Sequence, residues 1–179
     1  LDLLNDTPTA NAEDPVKGNY PTFNPLIKPG ADVFKNGNLT ITTAASTYYP
    51  QVSTMATPKS GKWYVEFYMD DIPLYMSLGL TTFPHIYGST NWLGQYNGLL
   101  YYAAAGGATG DRYIDGVSVN YGESYHTGDC IALAWDADNG SAVFYKNGVS
   151  QGTITGVPVR EYYVAANLFN ATTAGTFSI

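Results

Sequence analysis

Charge is scarce in this sequence. Only 13% of its 179 residues are Asp, Glu, Lys or Arg, against roughly a quarter in an average globular protein. What charge there is leans one way: 15 acidic residues against 8 basic ones give a formal charge of -7. A phosphate backbone is repelled overall, which argues against nucleic acid as a partner unless the few basic residues cluster. Cysteine occurs once, at Cys130, so no internal disulfide can form. Within the apolar run CIALAW that thiol is expected to be buried and inert. Histidine occurs twice, at His85 and His126, far apart and without a Cys or His at ligand spacing, so no metal site is expected. The longest apolar stretch, LLYYAAAGGA, is far shorter than the roughly 20 residues of a membrane-spanning helix, so no membrane insertion is expected. LDLLND at the amino terminus lacks the basic lead and apolar run of a signal peptide. With no initiator methionine ahead of Leu1, the natural start is expected to have been trimmed or processed. No G-x-S-x-G elbow, Walker loop or dinucleotide fingerprint occurs, so neither a cofactor nor an enzymatic activity is expected.

Tyrosine and glycine fill the space that charge leaves, with 16 Tyr and 19 Gly. A surface short of charge must be made polar by Tyr, Thr, Ser and Asn. Punctuation by Asn-Gly is equally telling, at Asn36-Gly37, Asn97-Gly98, Asn139-Gly140 and Asn147-Gly148. A two-residue type I′ hairpin needs positive φ at both central positions, which Gly adopts freely and Asn more readily than other side chains. DCIALAWDAD, SAVFYK and VSQGTI around the last two pairs are rich in β-branched and aromatic residues, which predicts a three-stranded meander. Val143 and Tyr145 are expected on one face of it and Phe144 on the other.

In GKWYVEFYMD, Trp63, Val65, Phe67 and Met69 alternate with Lys62, Tyr64, Glu66 and Tyr68, which predicts one buried and one amphipathic face. ADVFK, NLTITT, LYMSLGLTT, GLLYYAAA, EYYVAANLF and TFSI read as further strands, and no long segment carries a helical stripe. HIYGSTNWLGQY and GGATGDRYIDG read as loops, the second because it collects Gly, Asp and Thr. Residues up to about Gly30 hold five of the ten prolines without helical or strand periodicity, so residues 1–30 are expected to form an extended arm and residues 31–179 a single β-sandwich domain. Tyr20, Phe23, Leu26 and Ile27 are its expected anchors on a neighbouring subunit, the alternative being a strap across its own domain.

DADNG from Asp136 opens like a calcium loop. Its glycine comes one place too early, and Asn147 stands where the bidentate Glu belongs, so a hairpin is the better reading. Glu66 with Asp70-Asp71 is considered as a glycosidase pair, but an adjacent Asp pair at a strand end is more often a solvated turn.

An ordered series then emerges: Ser60-Gly61-Lys62, Tyr64-Val65-Glu66, Ser77-Leu78-Gly79-Leu80, Tyr121-Gly122, Gly128-Asp129, Trp135-Asp136, Gly140, Val143-Phe144-Tyr145 and Lys146-Asn147-Gly148. This series resembles the SPRY domain pattern from roughly Asn36 to Ile179. The resemblance implies an all-β fold, a bent antiparallel β-sandwich of the concanavalin-like jelly-roll kind, whose loops bind partners without enzymatic activity. Many members continue after the last strand with Asn-Phe-Gly where this chain stops at TFSI, so the sandwich is expected to be cut short at that end. Asp6-Thr7-Pro8-Thr9 and Tyr20-Pro21-Thr22-Phe23-Asn24-Pro25-Leu26 resemble the segment preceding SPRY domains in structural proteins of tailed phages. That second resemblance implies an oligomeric binding module at the virion surface, in a tail fibre or on a capsid, with other virion proteins or a host-surface protein or glycan as partners.

A glycan-binding or glycan-cleaving protein on the same scaffold is the alternative. The candidate contact loop is FPHIYGSTNWLGQYN, with Tyr87, Trp92 and Tyr96 as ligand-binding residues and Arg112 and Tyr113 as neighbours. Trp and Tyr pair a flat apolar face with one polar handle, which suits sugar rings and protein hot spots alike. The competing reading plugs Trp92 into the end of the sandwich.

Overall fold

A computed structural model describes residues 21–26, 32–43, 51–72, 75–82, 93–95, 97–104, 109–169 and 175–179. Its strands are β1 (Val33–Lys35), β2 (Thr40–Thr42), β3 (Gln51–Thr57), β4 (Lys62–Asp71), β5 (Tyr75–Thr81), β6 (Gly98–Ala104), β7 (Thr109–Ile114), β8 (Val117–Glu123), β9 (Cys130–Asp136), β10 (Ser141–Lys146), β11 (Val149–Thr155), β12 (Tyr162–Phe169) and β13 (Thr176–Ser178). A 3₁₀ turn, Leu93–Gln95, lies between β5 and β6. Two antiparallel sheets result, one of seven strands in the order β1-β2-β13-β4-β9-β10-β11 and one of six in the order β3-β12-β5-β6-β7-β8. The fold is an antiparallel β-sandwich.

The period-two alternation places the core. From the seven-stranded sheet Ile41, Phe67, Met69, Leu133, Trp135, Phe144 and Phe177 are buried. Facing them from the six-stranded sheet are Met76, Leu78, Leu80, Leu99, Tyr101, Tyr162 and Val164. Tyr121 ties the layers together: from β8 its hydroxyl donates to the Gly152 carbonyl at 2.6 Å and accepts the Phe144 amide at 3.1 Å.

Asn147-Gly148 is the expected two-residue turn, with φ of 49° and 80° and Lys146 paired to Val149. Asn139-Gly140 also closes its expected hairpin, between β9 and β10, but not as a two-residue turn. Asp136 pairs with Ser141 across a four-residue loop in which only Gly140, at φ 59°, is left-handed. The Asp136 carboxylate organises that loop, accepting the amides of Asp138 and Asn139 at 3.1 Å and the Asn139 side chain at 2.9 Å. This accounts for the acidic DADNG run without a cation. Asn97-Gly98 does not close a turn, since Gly98 already pairs with Thr81 at the start of β6.

Strand β7 occupies most of the stretch GGATGDRYIDG, which read as a loop, and β8, which follows it, went unread. The hairpin β7–β8 turns at Asp115-Gly116, with φ of 48° and 85°. The exposure of β8 hides it from a hydrophobicity reading, because its first four residues are exposed at the sheet edge. β3 also went unread. Cys130 is half-buried at the start of β9, not enclosed, although burial still pushes its thiol up.

A side chain at Gly148 would meet nothing within 4 Å, so substitution there costs only the positive φ. Gly148→Val is expected to lose about 2 kcal/mol, measured as a lower urea midpoint. A variant unfolding with the parent would contradict the turn.

Candidate functional site

β4 raises Lys62, Tyr64, Glu66 and Tyr68 on the outer face of the seven-stranded sheet. Opposite them β9 offers small residues, with Ala134 beside Tyr64, Ala132 beside Glu66 and Cys130 beside Tyr68. The tyrosines therefore stand above a low floor, 63% and 46% exposed. Both phenols donate to one carboxylate, Tyr64 to Glu66 Oε1 and Tyr68 to Glu66 Oε2, each at 2.7 Å.

That arrangement sets the local electrostatics. The hydrogen bonds from Tyr68 and Tyr64 hold the Glu66 carboxyl below its ordinary value, and the same bonds push each phenol up to about 12. Near neutral pH the unit is a single negative charge framed by two protonated rings. Among the described residues Glu66 makes no ion pair.

Hollows flank this comb. A trough of about 540 Å³ is lined by Pro21, Leu39, Tyr64, Val65, Glu66, Tyr68 and Ile179. A smaller one of about 200 Å³ on the β9 side is lined by Tyr64, Glu66, Cys130, Ala132, Tyr145 and Gly148. A third, about 130 Å³, enters between the sheets past Pro21, Ala56, Thr57, Trp63, Tyr64 and Val65 to Leu80, Leu133, Trp135 and Val164. The buried Trp135 indole N–H has no hydrogen-bond acceptor among the described residues.

Of the loop residues expected to bind, Tyr87, Trp92 and Tyr96 lie outside the described residues. Leu93 is buried on Val52, Leu100 and Ala165, with Tyr113 and Tyr163 packed beside them on the outer face of the six-stranded sheet. Tyr113 is thus a neighbour of the loop. Arg112 is not on that face, because it pairs with the core residue Tyr101 while Tyr113 pairs with Leu100.

Of the arm anchors, Tyr20 and Ile27 lie outside the described residues and Leu26 is 86% exposed. Phe23 is 0% exposed and meets Phe177 edge-on, ring centroids 5.4 Å apart. Its ring fills this chain's own core. Of the carboxylates considered as a catalytic pair, Glu66 is held by the tyrosines and Asp70 accepts from Ser178 Oγ at 2.7 Å. Among the described residues no group of three or more His, Cys, Asp or Glu is placed to hold a metal ion. The Tyr64–Glu66–Tyr68 comb was not singled out from sequence, although the Tyr-x-Glu-x-Tyr spacing within an alternating strand was its signal.

No protein-family model and no curated protein matches the chain. Solved structures do match its fold. The SPRY domain of human HERC1 superimposes with a TM-score of 0.68 at 16% identity, covering 87% of this chain and 95% of that one. The PSpry domain of TRIM65 gives 0.65 at 11% identity, covering 88% and 87%. Stonustoxin gives 0.66 at 15% identity over 88% of this chain, which spans 26% of that chain. The fold is SPRY-like.

Proposed function

We propose that the chain is a non-enzymatic protein-binding module whose contact surface is the outer face of the seven-stranded sheet, centred on Tyr64, Glu66 and Tyr68. The observation that carries this reading is the pair of exposed tyrosines locked onto one carboxylate that makes no ion pair among the described residues. Fixing the rings by hydrogen bonds lowers the entropy lost when a partner covers them, and tyrosine is enriched at binding hot spots. SPRY domains among the structural neighbours support a binding role over an enzymatic one.

The proposed setting is the surface of a virus particle, with other virion proteins or a host-surface protein or glycan as partners. It rests on the resemblance of the arm stretches Asp6–Thr9 and Tyr20–Leu26 to phage structural proteins. The double variant Tyr64→Ala, Tyr68→Ala tests the contact surface. Its attachment to purified virions or host envelopes is expected to fall roughly 30-fold, with a melting temperature near the parent's. Unchanged attachment by this variant, together with loss of attachment in a folded Trp92→Ala protein, would move the contact surface to the loop.

A further inference from the structure

One register row on the outer face of the seven-stranded sheet sets a carboxylate and an aromatic ring on either side of a methyl group. Glu66 of β4 pairs with Ala132 of β9, and Ala132 pairs with Tyr145 of β10. Neighbouring strands lie about 4.8 Å apart, so Glu66 and Tyr145 flank a gap of roughly 10 Å with only Ala132 as its floor. Tyr64 stands at one end of that gap, while Cys130 and Gly148 carry little bulk at the other. The result is the hollow of about 200 Å³ on the β9 side of the comb. β4, β9 and β10 are hydrogen-bonded neighbours, so no further strand enters between them, and β13 lies on the far side of β4.

Two recognition groups face each other across the gap. Glu66 accepts one phenol at each carboxylate oxygen, and since an ionised carboxylate offers about four acceptor sites, roughly two remain. Its hydrogen bonds from Tyr68 and Tyr64 keep it charged below the ordinary carboxylate range. Among the described residues the Tyr145 side chain makes no hydrogen bond or ion pair. The basic residues next to the row are committed elsewhere: Lys62 is paired with Asp136 at 3.7 Å, and Lys146 donates to the Ser124 carbonyl at 2.8 Å. Such a gap matches a guanidinium. Its plane stacks on an aromatic ring, its fork of N–H donors meets the open carboxylate sites, and its methylenes lie on the Ala132 methyl. An ammonium has no plane to lay on Tyr145 and is more strongly hydrated. A neutral sugar leaves the carboxylate without a counter-charge.

We infer that the row formed by Glu66, Ala132 and Tyr145 is a receptor for one exposed arginine side chain of a partner protein. The inference rests on the binding reading above and specifies its partner. It also extends the contact surface from the comb on β4 across β9 to Tyr145. The formal charge of -7 on the chain attracts a partner surface of the same basic sign.

The probe is a capped Gly-Arg-Gly peptide titrated into the full chain and followed by NMR at the Ala132 methyl and the Tyr145 ring. Both signals are expected to shift and saturate. The same peptide with citrulline, which keeps the shape of arginine and loses its charge, should bind roughly tenfold more weakly. Glu66→Gln should cost a similar factor. Tyr145→Leu should cost roughly three- to fivefold, whereas Tyr145→Phe, which keeps the ring, should bind like the parent, with melting temperatures recorded for all three. Equal binding of the citrulline peptide, undiminished binding by a folded Glu66→Gln protein, or no saturable shift at Ala132 and Tyr145 would overturn the arginine receptor. If any of those results accompanies loss of virion or envelope attachment in the tyrosine double variant, the binding face stands without the arginine. Arginine-selective shifts in the row together with unchanged attachment of that double variant would keep the receptor and remove the role of the comb in attachment.

Discussion

Gly79→Ala is expected to leave the chain largely unfolded. Gly79 sits mid-sheet in β5, paired with Leu100 of β6 on one side and Ala165 of β12 on the other. Its φ of 144° is one that side chains rarely adopt, and an added Cβ would lie 2.2 Å from the Leu99 carbonyl oxygen and 3.2 Å from Leu100 Cα. Those atoms are backbone held in a ladder, so relief requires shifting a central strand. A cost of about 4 kcal/mol or more follows, set against a total stability of roughly 5–15 kcal/mol for a domain of this kind. Circular dichroism and a urea titration read the effect. Gly148→Ala is the control, because the same methyl group meets open space there and should cost only ~1 kcal/mol. A Gly79→Ala protein with the parent's midpoint would contradict the packing of β5 against β6.

Phe23→Ala is expected to cost about 3–5 kcal/mol, the usual loss for a fully buried aromatic ring. The ring is wholly buried against Phe177, and the chain around it is sewn to β3 and to the turn between β1 and β2. Thr54 N donates to Thr22 O at 2.7 Å, Asn24 N to Val52 O at 2.8 Å, and Phe23 N to Asn38 O at 2.9 Å. Deleting residues up to Gly30 removes that ring and those bonds together, so it should destabilise the sandwich severely. Deletion ending at Tyr20 keeps them. Equilibrium unfolding of the two truncations separates a strap from a dispensable arm, and parent-like stability of the longer deletion would contradict the role assigned to Phe23.

These two residues show where sequence reading reaches its limit. Local signals carried the fold class: alternation in β4 placed Phe67 and Met69 inside and Tyr64, Glu66 and Tyr68 outside, and Asn147-Gly148 marked a true two-residue turn. Phe23 gave no such signal, because it stands between prolines and its burial is decided by Phe177 at the far end of the chain. The β7–β8 hairpin was obscured by an edge strand that needs no apolar face. The candidate site divides the same way. Its side chains could be read from the strand pattern, but the low floor beside them is set by Ala134, Ala132 and Cys130 of β9, a nonlocal pairing.

Covalent footprinting of tyrosine side chains, with and without purified virions or host envelopes, tests the central claim most directly. Tyr64 and Tyr68 are 63% and 46% exposed in the free chain. The account predicts that labelling of both falls sharply in the bound protein, while labelling of Tyr113 on the opposite sheet does not change. Unchanged labelling of Tyr64 and Tyr68 in the bound protein, with protection confined to residues 83–97, would contradict it.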